Sequence, residues 1–279
     1  NPFAVCMNAA FRFRSLGSGS SGNASLVELA GGKTQRLLVD AGFSSVKKLE
    51  QRLHAAAGLA AHELSALFIT HEHSDHIGCA LKLAEKYQLR LFMSRGTHRA
   101  IGSPDLGRRL HYVRDGDAIE LGQLVFQPFT VPHDALEPLQ LRVTDGENWL
   151  GILTDLGHGS AHVLEMLQPC HTVLLEFNHD PSMLEAGAYP PFLKRRVAGP
   201  LGHLPNHEAL RISQHLLAHG HLRQIIAAHL SERNNHPDIV SALLQSCASD
   251  HPELAFEHCH IACPNMGTTW IDCTSHAFA

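Results

Sequence analysis

Residues 67–80 read LFITHEHSDHIGCA, a short apolar run ending in three histidines and an aspartate packed into six positions: His71, His73, Asp75 and His76. Protonated imidazoles this close repel one another, and neutral ones leave ring nitrogens in need of partners. A bound cation removes both difficulties, and a set of imidazole with carboxylate suits zinc, manganese or iron. The stretch therefore demands a buried strand that stops at a sheet edge, then a ligand loop, then a helix. His71 and His73, two apart in an extended loop, direct their rings toward one ion, while the first helical turn offsets Asp75 and His76 toward a neighbouring position.

Four ligands in one loop cannot close two sites, so more donors are expected downstream. Three stand at the ends of predicted strands: His133 in FTVPHDA, Asp155 in GILTDLGH and His229 in IIAAHLS. The expected division gives His71, His73 and His133 to one ion, Asp75, His76 and His229 to the other, and Asp155 to both, since each carboxylate oxygen can hold one metal. Seven donors also argue against a purely structural site, which closes on four protein ligands and leaves no place for water. Two cations about 3.5–4 Å apart can activate a shared water and neutralise charge growing on a phosphorane-like centre. Asp75 and Asp155 are candidates to orient or accept the proton. His203 in PLGHLPN is the candidate for binding phosphate or protonating the leaving group, with His179 in FNHD as a second.

The pattern of elements agrees with such a site. FRFRSL (11–16) alternates like a half-buried strand, LVELA and RLLVDAG flank the turn GGKTQ, and residues 44–57 read as a helix begun by Ser44 and Ser45 and ended near Gly58. A strand at 66–70 precedes a helix from Ser74 to Tyr87 and the strand LRLFM. Strands dominate 111–154. A helix (160–168), a strand (172–177), a Pro-rich loop, a helix (206–219), the strand QIIAAHL, a helix near 237–247 and two closing strands, LAFEHC and TTWID, complete the chain. Strands and helices alternate in both halves, which predicts layered α/β architecture. With no linker or short-period repeat, residues 11–279 are expected to form one domain, with 1–10 set aside as a leader.

These motifs are recognisable together. THEHSDH followed by separated His, Asp and His resembles the metallo-β-lactamase superfamily. The longer series LGSGSSGNA, LLVDAG, VPHDA, LTDLG, LLEFNHD, YPPFLKRRV, GHLPN and AHLSERNN, over about residues 11–240, is similar to its YycJ/WalJ-type group. The resemblance implies a four-layer αββα sandwich, two divalent metal ions and 5′-to-3′ exonuclease activity on DNA, with a place in DNA repair. That group carries Ser after GHL where this chain has Pro205, and no large inserted nucleic-acid clamp is evident. The alternative on the same scaffold is hydrolysis of a small molecule: a thioester, lactone or cyclic phosphodiester.

The residues proposed to meet the substrate lie around this centre. The loop GSGSSGN offers Ser18, Ser20, Ser21 and Asn23, and its backbone N–H groups suit an anion. It lacks the Walker lysine and spacing, so a nucleoside triphosphate is not expected. FLKRRV supplies Lys194, Arg195 and Arg196, the densest basic run in a chain of net charge −5, and Arg233 follows His229 in SERNN. Such cations give salt-dependent affinity for a phosphate backbone without reading sequence. Seven scattered cysteines and the lack of a charged-then-apolar leader suit a cytoplasmic protein with reduced thiols. No run approaches the roughly 18–20 apolar residues that span a bilayer. Neither an organic cofactor nor a particular oligomeric state is implied.

Overall fold

The computed structural model describes residues 10–274. The expected leader lies outside them except for Ala10, which opens the first strand. Alternating apolar side chains make Ala10–Gly17 (β1) a strand with Phe11 and Phe13 turned inward. It pairs antiparallel with Ala24–Ala30 (β2), and β2 pairs antiparallel with Gln35–Val39 (β3). The chain then returns three times in parallel, as Ala66–Phe68 (β4), Arg90–Met93 (β5) and Leu110–Tyr112 (β6). The second half repeats this scheme. Ile119–Leu121 (β7), Leu124–Thr130 (β8), Leu139–Thr144 (β9) and Trp149–Leu153 (β10) form an antiparallel meander. Thr172–Glu176 (β11), Gln224–Ala228 (β12) and Cys259–Ile261 (β13) add to it in parallel. Ile271–Asp272 (β14) joins the first sheet beside β1.

The two sheets pack face to face. Phe11, Phe13, Phe68 and Phe126 meet Leu141, Ile152 and Ile226 between them. Side chains alternate across each strand, so Val27, Leu37 and Val39 enter that interior, while Leu26 and Leu38 face outward onto Leu49, Leu53 and Leu83 of the covering helices. On the far side Val173, Leu175 and Ile225 pack on Val163, Ile212, Leu216 and Leu244. Strands buried on both faces are read from near-continuous apolar runs, and VLLE and QIIAA are of this kind. The result is a four-layer αββα sandwich.

The helix Val46–Ala57 starts and stops where its sequence indicates. Ser45 Oγ accepts from Lys48 N (3.2 Å), and Gly58 takes the left-handed conformation at φ 68°. Elsewhere the structure differs from expectation. The helix foreseen over 74–87 is broken into Ser74–Ile77 and Ala80–Tyr87 because the loop after β3 inserts there. Ala41 N donates to His76 O, Cys79 N donates to Ala41 O, and a Cβ on Gly78 would come within 2.5 Å of Ala41 O. The Pro-rich stretch is not a loop but two short helices, Pro181–Ala186 and Pro191–Val197, each opened by a proline that presets φ in its first turn. LAFEHC contains a 3-10 turn, Phe256–His258, and pairing begins only at Cys259. A helix at Arg95–Ala100, capped by Ser94 Oγ on Thr97 N (2.9 Å), was not anticipated.

Candidate metal centre

Strands β1, β3, β4, β8, β10, β11 and β12 all run toward the same edge of the sandwich, and the residues just past their ends converge there. Asp40 follows β3, His71 to His76 follow β4, His133 follows β8, Asp155 follows β10, Glu176 ends β11, and His229 follows β12. Of the five non-glycine residues with positive φ among the described residues, three are Asp40 (63°), Asp155 (53°) and His229 (55°). Each sits where a strand turns sharply to aim a side chain across the edge. Strain concentrated in this way marks a functional region.

All seven side chains expected to ligate lie in this cluster. His71, His73 and His133 place a nitrogen each within 4.8 Å of one another, as do the donor atoms of Asp75, His76 and His229. Asp155 stands between the two groups, with Oδ2 2.8 Å from His76 Nε2 and Oδ1 4.0 Å from His133 Nε2 and 3.6 Å from His229 Nδ1. His71 Nε2 and His133 Nε2 lie 3.1 and 3.2 Å from His73 Nδ1.

What the outer nitrogens do decides what the inner ones offer. His76 Nδ1 donates to Asp40 Oδ2 (2.7 Å), His133 Nδ1 to Gly202 O (3.1 Å) and His229 Nδ1 to Glu176 Oε1 (2.7 Å). Thr70 Oγ1 donates to Asp40 Oδ2 (2.8 Å) and so accepts from His71 Nδ1 (2.9 Å). Each partner fixes the tautomer in which Nε2 carries its lone pair inward, the arrangement by which neighbouring groups orient metal-ligating histidine. His229 Nε2 and Asp155 Oδ2 are buried and make no hydrogen bond, Asp155 Oδ2 meeting His76 outside hydrogen-bonding geometry. Orphaned buried polar atoms are rare, and a cation would satisfy both. The donor set therefore fits divalent metal.

Electrostatics points the same way. Burial penalises the Asp155 carboxylate, yet His229 and His76 hold it well below the usual carboxylate range. Asp75 is lowered likewise, against burial, by His229 and His76. Glu176 is brought to about 2, again against burial, by His203 and His229. Burial also works against a charged His229, but Asp155, Asp75 and Glu176 raise it to about 10. His76 is raised well above the ordinary imidazole value by Asp155 and Asp40, once more against burial. His71 is depressed, by burial first and then by His76. Ionised carboxylates inside the protein thus create a well for positive charge, and what raises these imidazoles equally favours a divalent cation at the same nitrogens.

The remaining candidates divide. His203 joins the cluster, with Nδ1 3.0 Å from Glu176 Oε1 and 3.5 Å from Asp155 Oδ1. Asn23 is buried; its amide nitrogen lies 3.3 Å from Asp75 Oδ2 and 3.1 Å from His76 Nε2, while Gly19 N donates to its oxygen (2.8 Å). Ser18 is buried, and its hydroxyl accepts from His229 N (2.7 Å). Both hold ligand loops in place. Ser20 and Ser21 are exposed at the loop tip. His179 is buried beside Asn178 (3.3 Å), and burial lowers it to about 4. Arg196 Nε donates to Asp134 Oδ2 (2.6 Å), whose Oδ1 stands 3.8 Å from His73 and 3.6 Å from His133. Lys194 donates to Glu185 O, Arg195 is exposed, and exposed Arg233 faces the Tyr189 ring at 6.0 Å. Position 205 is the N-cap of the helix Asn206–Ala218, where proline offers no side-chain acceptor.

Asp40, Thr70, Asp134 and Glu176 were not among the expected site residues. Asp40 and Glu176 had a readable signal, since each is an acid at the end of an apolar strand, in LLVDAG and LLEFN, as Asp155 is in GILTD. Thr70 and Asp134 act through contacts that sequence spacing does not reveal.

Residues 35–229 match the family described as Beta-lactamase superfamily domain, a span that encloses all seven candidate ligands. The chain is 34% identical over 246 residues, 85% of its length and 89% of the relative's, to the Exodeoxyribonuclease WalJ of Streptococcus pneumoniae serotype 2. The chain belongs to the WalJ/YycJ branch of the beta-lactamase superfamily. A second member of that branch, the Exodeoxyribonuclease YycJ of Bacillus anthracis, is 34% identical over 227 residues, 80% of this chain and 83% of that one. The superfamily fold recurs in the crystal structure of the metallo-beta-lactamase fold protein YhfI from Bacillus subtilis. That structure has a TM-score of 0.68 at 16% identity and covers 94% of this chain and 99% of that one.

Proposed function

We propose that the chain is a dinuclear-metal-dependent phosphodiester hydrolase that degrades DNA as a 5′–3′ exonuclease. The observation that carries this reading is the inward set of Nε2 lone pairs around Asp155, found in a chain 34% identical to relatives named exodeoxyribonuclease. His71, His73 and His133 would hold one cation, Asp75, His76 and His229 the other, with Asp155 shared. Zinc and manganese suit these donors, and iron is compatible. When bound, the cations supply an activated water and neutralise charge developing on the phosphate.

The protein's own groups do the rest. Of the two proposed ligand carboxylates, Asp75, with side-chain exposure of 23% against 2% for Asp155, is the one that meets solvent and can take the proton of the attacking water. His203 rests its Nδ1 on Glu176 and keeps part of its ring open to solvent. Burial opposes its charge, but Glu176 and then Asp155 raise its pKa, which favours the protonated ring that can give a proton to the leaving alkoxide. Residues 11–279 act as one domain in this reading, in the cytoplasm and without an organic cofactor. Among the described residues, no helix is long and apolar enough to cross a membrane.

The test uses metal-analysed protein with DNA and RNA labelled at one end and bearing either 5′-phosphate or 5′-hydroxyl. Stepwise loss of nucleotides from the 5′ end of DNA is expected. Turnover of a thioester or lactone with intact DNA would replace this reading by the small-molecule one.

A further inference from the structure

The helix Pro191–Val197 buries none of its residues, and Phe192 at its start is 67% exposed. An aromatic residue left about two-thirds exposed on a short helix contributes little to stability. Its position is specific, however. Residues three and four apart share a helix face, so Phe192 lies one turn from Arg195 and Arg196 on the same side. Arg196 reaches Asp134 (2.6 Å), whose other oxygen is within 3.8 Å of His73 and His133. The helix end is fixed against the site as well, because His203 N donates to Val197 O (2.8 Å).

Two more exposed apolar residues stand on this rim. Leu201, 49% exposed, accepts at its carbonyl from Asp134 N (3.0 Å), and Leu136, 46% exposed, donates its N–H to Glu72 Oε1 (2.7 Å) in the ligand loop. Among the described residues only six large apolar side chains are exposed, and three of them, Leu136, Phe192 and Leu201, lie on segments bonded to Asp134 or to the ligand loop. Apolar surface interleaved with cations is what a nucleic-acid end requires, a π-face for the base and positive charge for its phosphate. A purely apolar protein partner would leave Arg195, which has no ion-pair partner among the described residues, desolvated.

We infer that the exposed ring of Phe192, with Leu136 and Leu201 beside Arg195 and Arg196, is a stacking platform for the nucleobase at the end of the strand being degraded. The inference rests on the nuclease reading and adds to it the group that recognises an end rather than an internal phosphodiester. Sequence tolerance follows, since every base has a face to stack.

The experiment compares wild type with Phe192→Ala and Phe192→Trp as full-length, zinc-loaded proteins. The probe is a cleavage-resistant phosphorothioate oligonucleotide carrying 2-aminopurine at its 5′ end, and a matched oligonucleotide ends in abasic sites. Quenching of the 2-aminopurine by wild type and Phe192→Trp is expected. Phe192→Ala should lose the quench and bind roughly 10- to 100-fold more weakly, by the usual contribution of base stacking. The abasic probe should bind all three alike. Equal affinity of wild type and Phe192→Ala for the base-ended probe, or an equal loss on both probes, overturns the platform. So does wild type without a quench. Phe192 is exposed, so a thermal melt should show the alanine variant folded. Turnover of unmodified DNA is read separately: quenching without turnover would refute the nuclease reading and leave the platform standing.

Discussion

Replacing Glu176 by Gln probes the arrangement of the site most directly, because every contact the carboxylate makes is with a donor. Oε1 accepts from His229 Nδ1 (2.7 Å) and His203 Nδ1 (3.0 Å), and Oε2 from Leu204 N (2.8 Å) and Leu156 N (3.3 Å). The residue is fully buried, so water cannot repair a lost bond. Glutamine brings one oxygen and one NH₂ group, and neither orientation serves both sides. With the oxygen toward the imidazoles, two buried backbone N–H groups lose their acceptor, at about 1–3 kcal/mol each, or roughly 2–6 kcal/mol in stability. With the oxygen toward the backbone, the NH₂ group drives both histidines to the opposite tautomer. His229 then presents Nε2–H where a lone pair is needed, and metal affinity should fall about 10- to 100-fold. The two costs appear in different measurements, so denaturant unfolding in chelator and metal competition together show which orientation the side chain adopts. A Glu176→Gln protein that unfolds within about 0.5 kcal/mol of wild type and binds metal as tightly would refute this account of the cluster.

Asp155→Asn keeps the side-chain size and a residue type tolerant of φ 53°, so the chain should fold while metal content drops below two per chain and DNA hydrolysis falls by at least about 100-fold; full turnover with two metals would remove Asp155 from the shared position. Alanine at Lys194 and Arg195 should weaken binding to long DNA, and each phosphate contact removed should flatten the dependence of log K on log salt by about 0.7–0.9; an unchanged slope, or an equal loss on a minimal phosphodiester, would mean that these cations face only solvent. Pro205→Ser adds a capping hydroxyl worth about 1 kcal/mol and gives back about 0.4–1 kcal/mol of proline's restraint on the unfolded chain. Its melting temperature should therefore barely move and its turnover stay the same, whereas a several-fold rise in turnover would show the hydroxyl touching substrate rather than the helix start. Gly42→Ala would set a Cβ 1.7 Å from Asp75 O, so the ligand loop must shift, with an expected loss of about 1–3 kcal/mol and weaker metal binding; a crystal structure with an undisturbed loop would refute it.

The sequence made the ligands legible because their pattern is one-dimensional. An apolar strand that stops in His, Asp and His identifies itself locally, and the same rule applied at 133, 155 and 229 completes the set. Asp40 and Glu176 also end apolar strands, but as single acids whose imidazole partners lie far along the chain. Their partners, His76 at 36 residues' separation and His229 at 53, are contacts that only the assembled sheets create. Helix breaks were hidden for a similar reason. Nothing between Ser74 and Tyr87 forbids a continuous helix; the loop 40–42, brought alongside by parallel pairing of β3 with β4, divides it at Gly78. In the Pro-rich stretch, by contrast, the information was present, since proline in a first turn favours helix, and composition alone suggested a loop.

The arrangement also explains why the centre lies at a seam rather than in a pocket within one half. The first sheet delivers Asp40 and the loop His71–His76; the second delivers His133, Asp155, Glu176 and His229. Neither set could close a dinuclear site alone, because Asp155 must face both His76 and His133 across the edge. Docking of the sheets, driven by the apolar interior around Phe68 and Phe126, therefore has to bring buried carboxylates and imidazoles together. Charges of this kind are expensive to desolvate unless matched. Here the imidazoles of His71, His76, His133 and His229 are held from behind by Thr70, Asp40, the Gly202 carbonyl and Glu176. These supports take up the outward hydrogen-bonding capacity and leave the inward capacity for cations. Metal binding and sheet docking are thus linked: a cation that binds only the closed edge stabilises the whole sandwich, by about 2.7 kcal/mol at a free concentration of 100 times its Kd.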